Sequence, residues 1–91
     1  MLEKQAIIYV FEFNRGLKWA AEIFFPHVAR NFSPVLVSKT FYKDIFKLVN
    51  AAEKNLSRLG IKNMQVARIE GLTTIPQYTE FLRKYSGVCE E

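Results

Sequence analysis

Asn14 to Val28, NRGLKWAAEIFFPHV, follows a run of apolar residues and decides how the chain is laid out. Leu17, Ala20, Ala21, Phe24, Phe25 and Val28 recur at helical spacing, and Asn14 is suited to cap a helix that carries them. Pro26 removes a backbone donor and restricts Phe25, so this helix is expected to kink or end there. Working outward from it, Ala6 to Phe13 is apolar at nearly every position and rich in β-branched and aromatic residues. That pattern predicts a central strand covered on both faces.

Downstream, Ser33-Pro34 introduces a short buried strand at Val35 to Val37, after which Ser38 or Thr40 can cap a second helix. In that helix Phe41, Ile45, Leu48, Val49, Ala52, Leu56 and Leu59 share one face, and Gly60 stands where a left-handed terminating residue is wanted. Met64 to Ile69 predicts a third strand, nearer a sheet edge because Ala67 and Arg68 blur the alternation. Gly71 permits a turn, Thr73 or Thr74 caps a last helix striped by Ile75, Tyr78, Leu82 and Tyr85, Pro76 is tolerated in its first turn, and Gly87 ends it.

The expected fold class is therefore α/β, one compact domain over residues 1–88 in the order β-α-β-α-β-α, followed by a short tail at 89–91. Crossovers long enough to hold helices favour a small, mostly parallel sheet packed by helices. It can gain a strand from a second copy, or one hidden in a segment without a strand signal. At 91 residues, 49% hydrophobic and 24% charged, the chain is long enough for a core without metals or disulfides.

Lys43, Lys47, Lys54 and Arg58 fall within about 60° of one another on the second helix, opposite its apolar stripe. Together they would run about 22 Å along the axis, long enough to track several phosphates. Two like-charge pairs at i,i+4 each cost about 0.2–0.5 kcal/mol, whereas a merely solvated face alternates signs. Asp44 and Glu53 at the margins fit that plainer alternative. Arg15 and Lys18, in FNRGLKW, form a second basic group where the first strand ends, the end at which open α/β sheets bind ligands. With a net charge of +4 the composition favours anionic partners, DNA or RNA among them.

Other chemistry finds little support. There is no G-x-x-x-x-G-K-[ST], no G-x-G-x-x-G and no second aromatic signature of an RNA-recognition motif. His27 and Cys89 are each single in the chain, and C-x-x-C and H-E-x-x-H are absent, so no metal, cofactor or catalytic residue is assigned and no enzymatic activity is expected. MLEKQAIIYVFEF resembles neither signal peptide nor membrane anchor, so a soluble, cytoplasmic protein with no membrane partner is expected.

The stretch PVLVSKTFYKDIFKLVNAAEKNLSRLGIKNMQVARIEG, residues 34–71, resembles the middle of Alba-type nucleic-acid-binding proteins: strand, turn, amphipathic helix, and a strand ending in Ile-x-Gly. The resemblance implies a dimer that binds DNA or RNA mainly through backbone phosphates, with Arg15 and Lys18 in the first basic loop and Lys39 in the turn after the second strand. The family's paired-lysine loop is absent, and a helix at Ile75 to Tyr85 stands in place of its final hairpin. The leading expectation is a small protein or ribonucleoprotein component that contacts phosphates through Lys43, Lys47, Lys54 and Arg58, with Arg15, Lys18 and Lys39 as a second patch. The alternatives are a protein-interaction or regulatory subunit using aromatic residues such as Trp19, Phe25, Phe32 and Tyr85, and a small enzyme marked by a pocket of convergent polar groups.

Overall fold

The computed structural model describes residues 4–25 and 35–86. Strands β1 (Gln5–Phe13), β2 (Gly16–Phe24) and β3 (Val35–Val37) precede helix α1 (Ile45–Ser57), strand β4 (Asn63–Leu72) and helix α2 (Ile75–Ser86). The chain order is thus β-β-β-α-β-α, not β-α-β-α-β-α, and the stretch from Gly16 to Phe24 is a strand, not a helix. The four strands form one sheet in the order β3-β2-β1-β4. Pairings β1–β2 and β2–β3 are antiparallel and only β1–β4 is parallel, which overturns the mostly parallel sheet.

A tight hairpin explains the difference. Asn14 and Arg15 make the turn, and β2 pairs with β1 over its full length, from Phe13 opposite Gly16 to Gln5 opposite Phe24. Trp19, Ala21 and Ile23 join the core under α1, while Ala20 joins the one under α2. A strand covered on both faces has no polar alternation, so its apolar residues coincide with helical spacing. Glu22 is buried as well, and its Oε1 accepts a hydrogen bond from the Tyr9 hydroxyl at 3.2 Å.

The sheet is sandwiched between the helices. On one face Ala6, Ile8 and Val10 of β1 pack with Leu48, Ala52 and Leu56 of α1, and on the other Phe11 and Phe13 pack with Tyr78, Phe81 and Leu82 of α2. Phe11 stacks edge to face on both Tyr78 and Phe81, at 4.9 and 5.0 Å between ring centres. β1 is interior, as its sequence requires, and β4 is an edge.

Helix α1 begins later than its apolar pattern suggests, because the backbone of Tyr42 is already bonded to Leu17 of β2. The cap is Asp44, whose Oδ1 accepts the Phe46 N–H at 2.9 Å, and not Ser38 or Thr40. Ser38 instead bonds Trp19, accepting its N–H on Oγ at 3.1 Å. Phe41 leaves the helical stripe altogether and packs on Phe13, and Leu59 is exposed. At the far end the Gly60 N–H donates to Ser57 and the Ile61 N–H to Leu56, a Schellman pair made possible by φ +81° at Gly60. Helix α2 opens on a reciprocal capping box between Thr74 and Gln77, and Ile75 of its expected apolar stripe is exposed.

Among the described residues no helix is long and apolar enough to cross a membrane. Pro26, His27, Val28, Phe32, the Ser33-Pro34 lead-in, Gly87 and the 89–91 tail lie outside the described residues.

Candidate nucleic-acid interface

The hairpin, the segment before α1 and the edge strand meet at one end of the sheet. Leu17 and Tyr42 exchange backbone hydrogen bonds of 2.7 and 2.8 Å, which holds Lys43 beside the Asn14-Arg15 turn. The parallel register then sets Arg68 of β4 opposite Val10, near the carboxyl end of β1. Glu12, Asn14, Arg15, Gly16, Lys43 and Arg68 line an open depression of about 440 Å³. Arg15, Lys43 and Arg68 thus come together from three separated stretches of chain.

Gly16 is what lets the strands close at this point. Its φ is +143°, and a Cβ there would lie 2.8 Å from the Tyr42 carbonyl oxygen. Any side chain would push Tyr42 away from β2 and carry Lys43 with it.

A second open depression, of about 320 Å³, runs along the outer surface of α1 between Lys47, Asn50, Lys54, Asn55 and Arg58. Lys43 is not part of this helical stripe, because the helix starts after the Asp44 cap. Lys47 to Arg58 spans about 16 Å at about 1.5 Å per residue, shorter than the rail expected from sequence. Lys43 instead lines the hairpin depression, one residue before the cap and four before Lys47.

Two of the expected residues lie elsewhere. Lys18 falls on the α2 face of the sheet, opposite Phe11 in the β1–β2 register, with its ammonium 4.8 Å from the Phe41 ring centre and 5.7 Å from that of Tyr78. It sits among these rings and does not line the depression that holds Arg15, so the pair does not form one patch. Lys39 is exposed in the turn after β3 and lines neither depression. Trp19, read from sequence as an interface candidate, is 3% exposed and belongs to the core, while Phe25 is half exposed at the end of β2.

Arg68 was not legible as a site residue, since it is an isolated cation in a strand. Its significance depends on β4 lying parallel and adjacent to β1, where ligands collect beyond the carboxyl ends of strands.

Arg15, Lys43, Lys47, Lys54, Arg58 and Arg68 make no ion pair with an acid among the described residues. Of the nearby acids, Asp44 is engaged in the helix cap and Glu12 lines the hairpin depression. Such an arrangement can hold phosphates: guanidinium groups at the hairpin end offer paired donors, and the helix lysines act as point charges. No group of three or more His, Cys, Asp or Glu side chains comes together among the described residues. No family model, curated protein or solved structure matches the chain, so its functional reading rests on this geometry.

Proposed function

We propose that the protein binds nucleic acid through backbone phosphates, without reading base sequence and without catalysing a reaction. The observation that carries this reading is the convergence of Arg15, Lys43 and Arg68 on one depression, together with a second depression on α1 lined by Lys47, Lys54 and Arg58. Gathering six cations, none ion-paired among the described residues and with Glu12 the one acid lining the hairpin depression, opposes folding through like-charge repulsion. A polyanion removes that repulsion and releases its own counterions. The resemblance of residues 34–71 to Alba-type proteins points the same way.

The proposal includes a homodimer. Strand β4 is ten residues long, pairs only with β1 among the described residues, and exposes Val66 and Leu72. An unpaired edge of that length is a template for a further strand. The same edge favours the second reading, a protein-interaction subunit that adds a partner's strand to the sheet.

Amide chemical-shift mapping of the isotopically labelled protein against a short oligonucleotide tests the primary reading. Shifts concentrated at Asn14 to Gly16, Lys43 to Lys47, Lys54, Arg58 and Arg68 are expected. Shifts confined to β4, obtained only with a protein partner, would move the weight to the second reading.

A further inference from the structure

Phe46 is 77% exposed, more than any other large hydrophobic side chain among the described residues. Helical geometry sets it about 120° from Ala52, the middle of the buried stripe, so no core contact accounts for a phenylalanine there. Lys47 lies about 100° further round the same turn, and Asn50 stands one turn on and about 40° away. Lys43 precedes it by three residues. Phe46 thus stands in the chain between Lys43, which lines the hairpin depression, and Lys47, which lines the one on α1. Its backbone is fixed, because the Phe46 N–H is the group that Asp44 caps.

A protein-binding patch would surround such a ring with further apolar side chains. On α1 its nearest neighbours are Val49, which is half-buried, and Lys47, Asn50 and Glu53, which are exposed and polar or charged. The combination of an isolated aromatic face with adjacent phosphate-holding cations matches the arrangement by which proteins hold unpaired nucleotides, the base stacking on the ring while the backbone tracks the charges. A duplex offers no free base face to such a ring.

We infer that the ligand is single-stranded nucleic acid and that Phe46 is a stacking platform for one of its bases. The inference rests on the phosphate-binding reading and narrows it to one substrate class. Stacking on aromatic rings is tolerant of base identity, consistent with a site that does not read sequence.

The test is fluorescence anisotropy of labelled single-stranded RNA, single-stranded DNA and duplex DNA of equal length. The proteins compared are the wild type, Phe46→Ala, Phe46→Trp and the triple variant Lys47→Gln/Lys54→Gln/Arg58→Gln. Phe46→Ala should weaken binding of a single strand about tenfold, leave its salt dependence and the duplex affinity unchanged, and be rescued by Phe46→Trp. The RNA and DNA arms report which sugar is preferred. In Phe46→Trp the new indole should also be quenched by the single strand, against a constant signal from Trp19, which is buried. If Phe46→Ala binds single strands as the wild type does, or loses single strand and duplex alike, the stacking role is overturned while the triple variant still reports on phosphate contact. If the wild type binds no nucleic acid, or the triple variant binds unchanged, the phosphate reading fails and the inference fails with it.

Discussion

Leu17 and Tyr42, far apart in the chain, donate to each other's carbonyl oxygens at 2.7 and 2.8 Å, and this pair of bonds ties the start of β2 to the approach to α1. Tyr42 is thereby withheld from the helix, and Lys43 is held at the hairpin. Gly16 beside it has φ +143° and no room for a Cβ. Gly16→Ala should lose about 2–4 kcal/mol, from backbone strain together with at least one weakened hydrogen bond. Gly60→Ala, where no atom lies within 4 Å of the new Cβ, should lose only about 1–2 kcal/mol for its left-handed backbone. Urea unfolding followed by the fluorescence of buried Trp19 measures both; equal losses would mean that the Tyr42 contact is unimportant.

Lys18 has a structural task distinct from that of Arg15. Its ammonium faces the rings of Phe41 and Tyr78, a cation–π arrangement worth about 0.5–2 kcal/mol. Lys18→Met should destabilise the fold by that order and leave nucleic-acid affinity and its salt dependence unchanged. A drop in affinity without a drop in stability would return Lys18 to the binding surface.

Arg68 should behave in the opposite way. It is exposed, so Arg68→Gln should alter stability by no more than about 0.5 kcal/mol. It should reduce the slope of log affinity against log salt by about 0.7 on a single strand, the value for one phosphate contact. Lys39→Gln, outside both depressions, should leave the slope where it is. Titrations at several salt concentrations separate the two variants.

The edge of β4 away from β1, which pairs with no strand among the described residues, carries the prediction about assembly. Sedimentation should show a concentration-dependent dimer, and Val66→Lys, which places a charge on an exposed edge residue, should shift it to monomer without unfolding it. A wild type that stays monomeric at high concentration, or a variant that dimerises equally well, excludes this edge as the interface.

Individual elements could be read along the chain where local signals agreed with burial, but their order and the direction of the sheet could not. β1 is apolar on both faces and is interior, and the stripe Leu48, Ala52, Leu56 is buried as its spacing requires. Of Thr73 and Thr74, both suited to cap the last helix, it is Thr74 that does so, with Gln77 completing the box. β2 was illegible for a physical reason. Covered on both sides, it shows no alternation, and Ala20 and Ala21 suit a helix as well as they suit a strand pressed between layers. Misreading it concealed the hairpin, and with it most of the site. Arg15 and Lys18 look like one patch in sequence, yet Arg15 lines the hairpin depression while Lys18 turns to the rings of Phe41 and Tyr78. Arg68 joins Arg15 only through strand pairing between distant segments, which no local pattern encodes.

The most direct measurement is the salt dependence of binding to a labelled single strand for the wild type and for Arg15→Gln/Lys43→Gln/Arg68→Gln. These side chains are brought together by the fold alone. The expected result is a steep wild-type slope that falls by about 2 in the variant, three contacts at about 0.7 each, with unfolding by urea unchanged. A wild type that does not bind at low salt, or a variant whose slope equals that of the wild type, would contradict a phosphate-binding role for this surface.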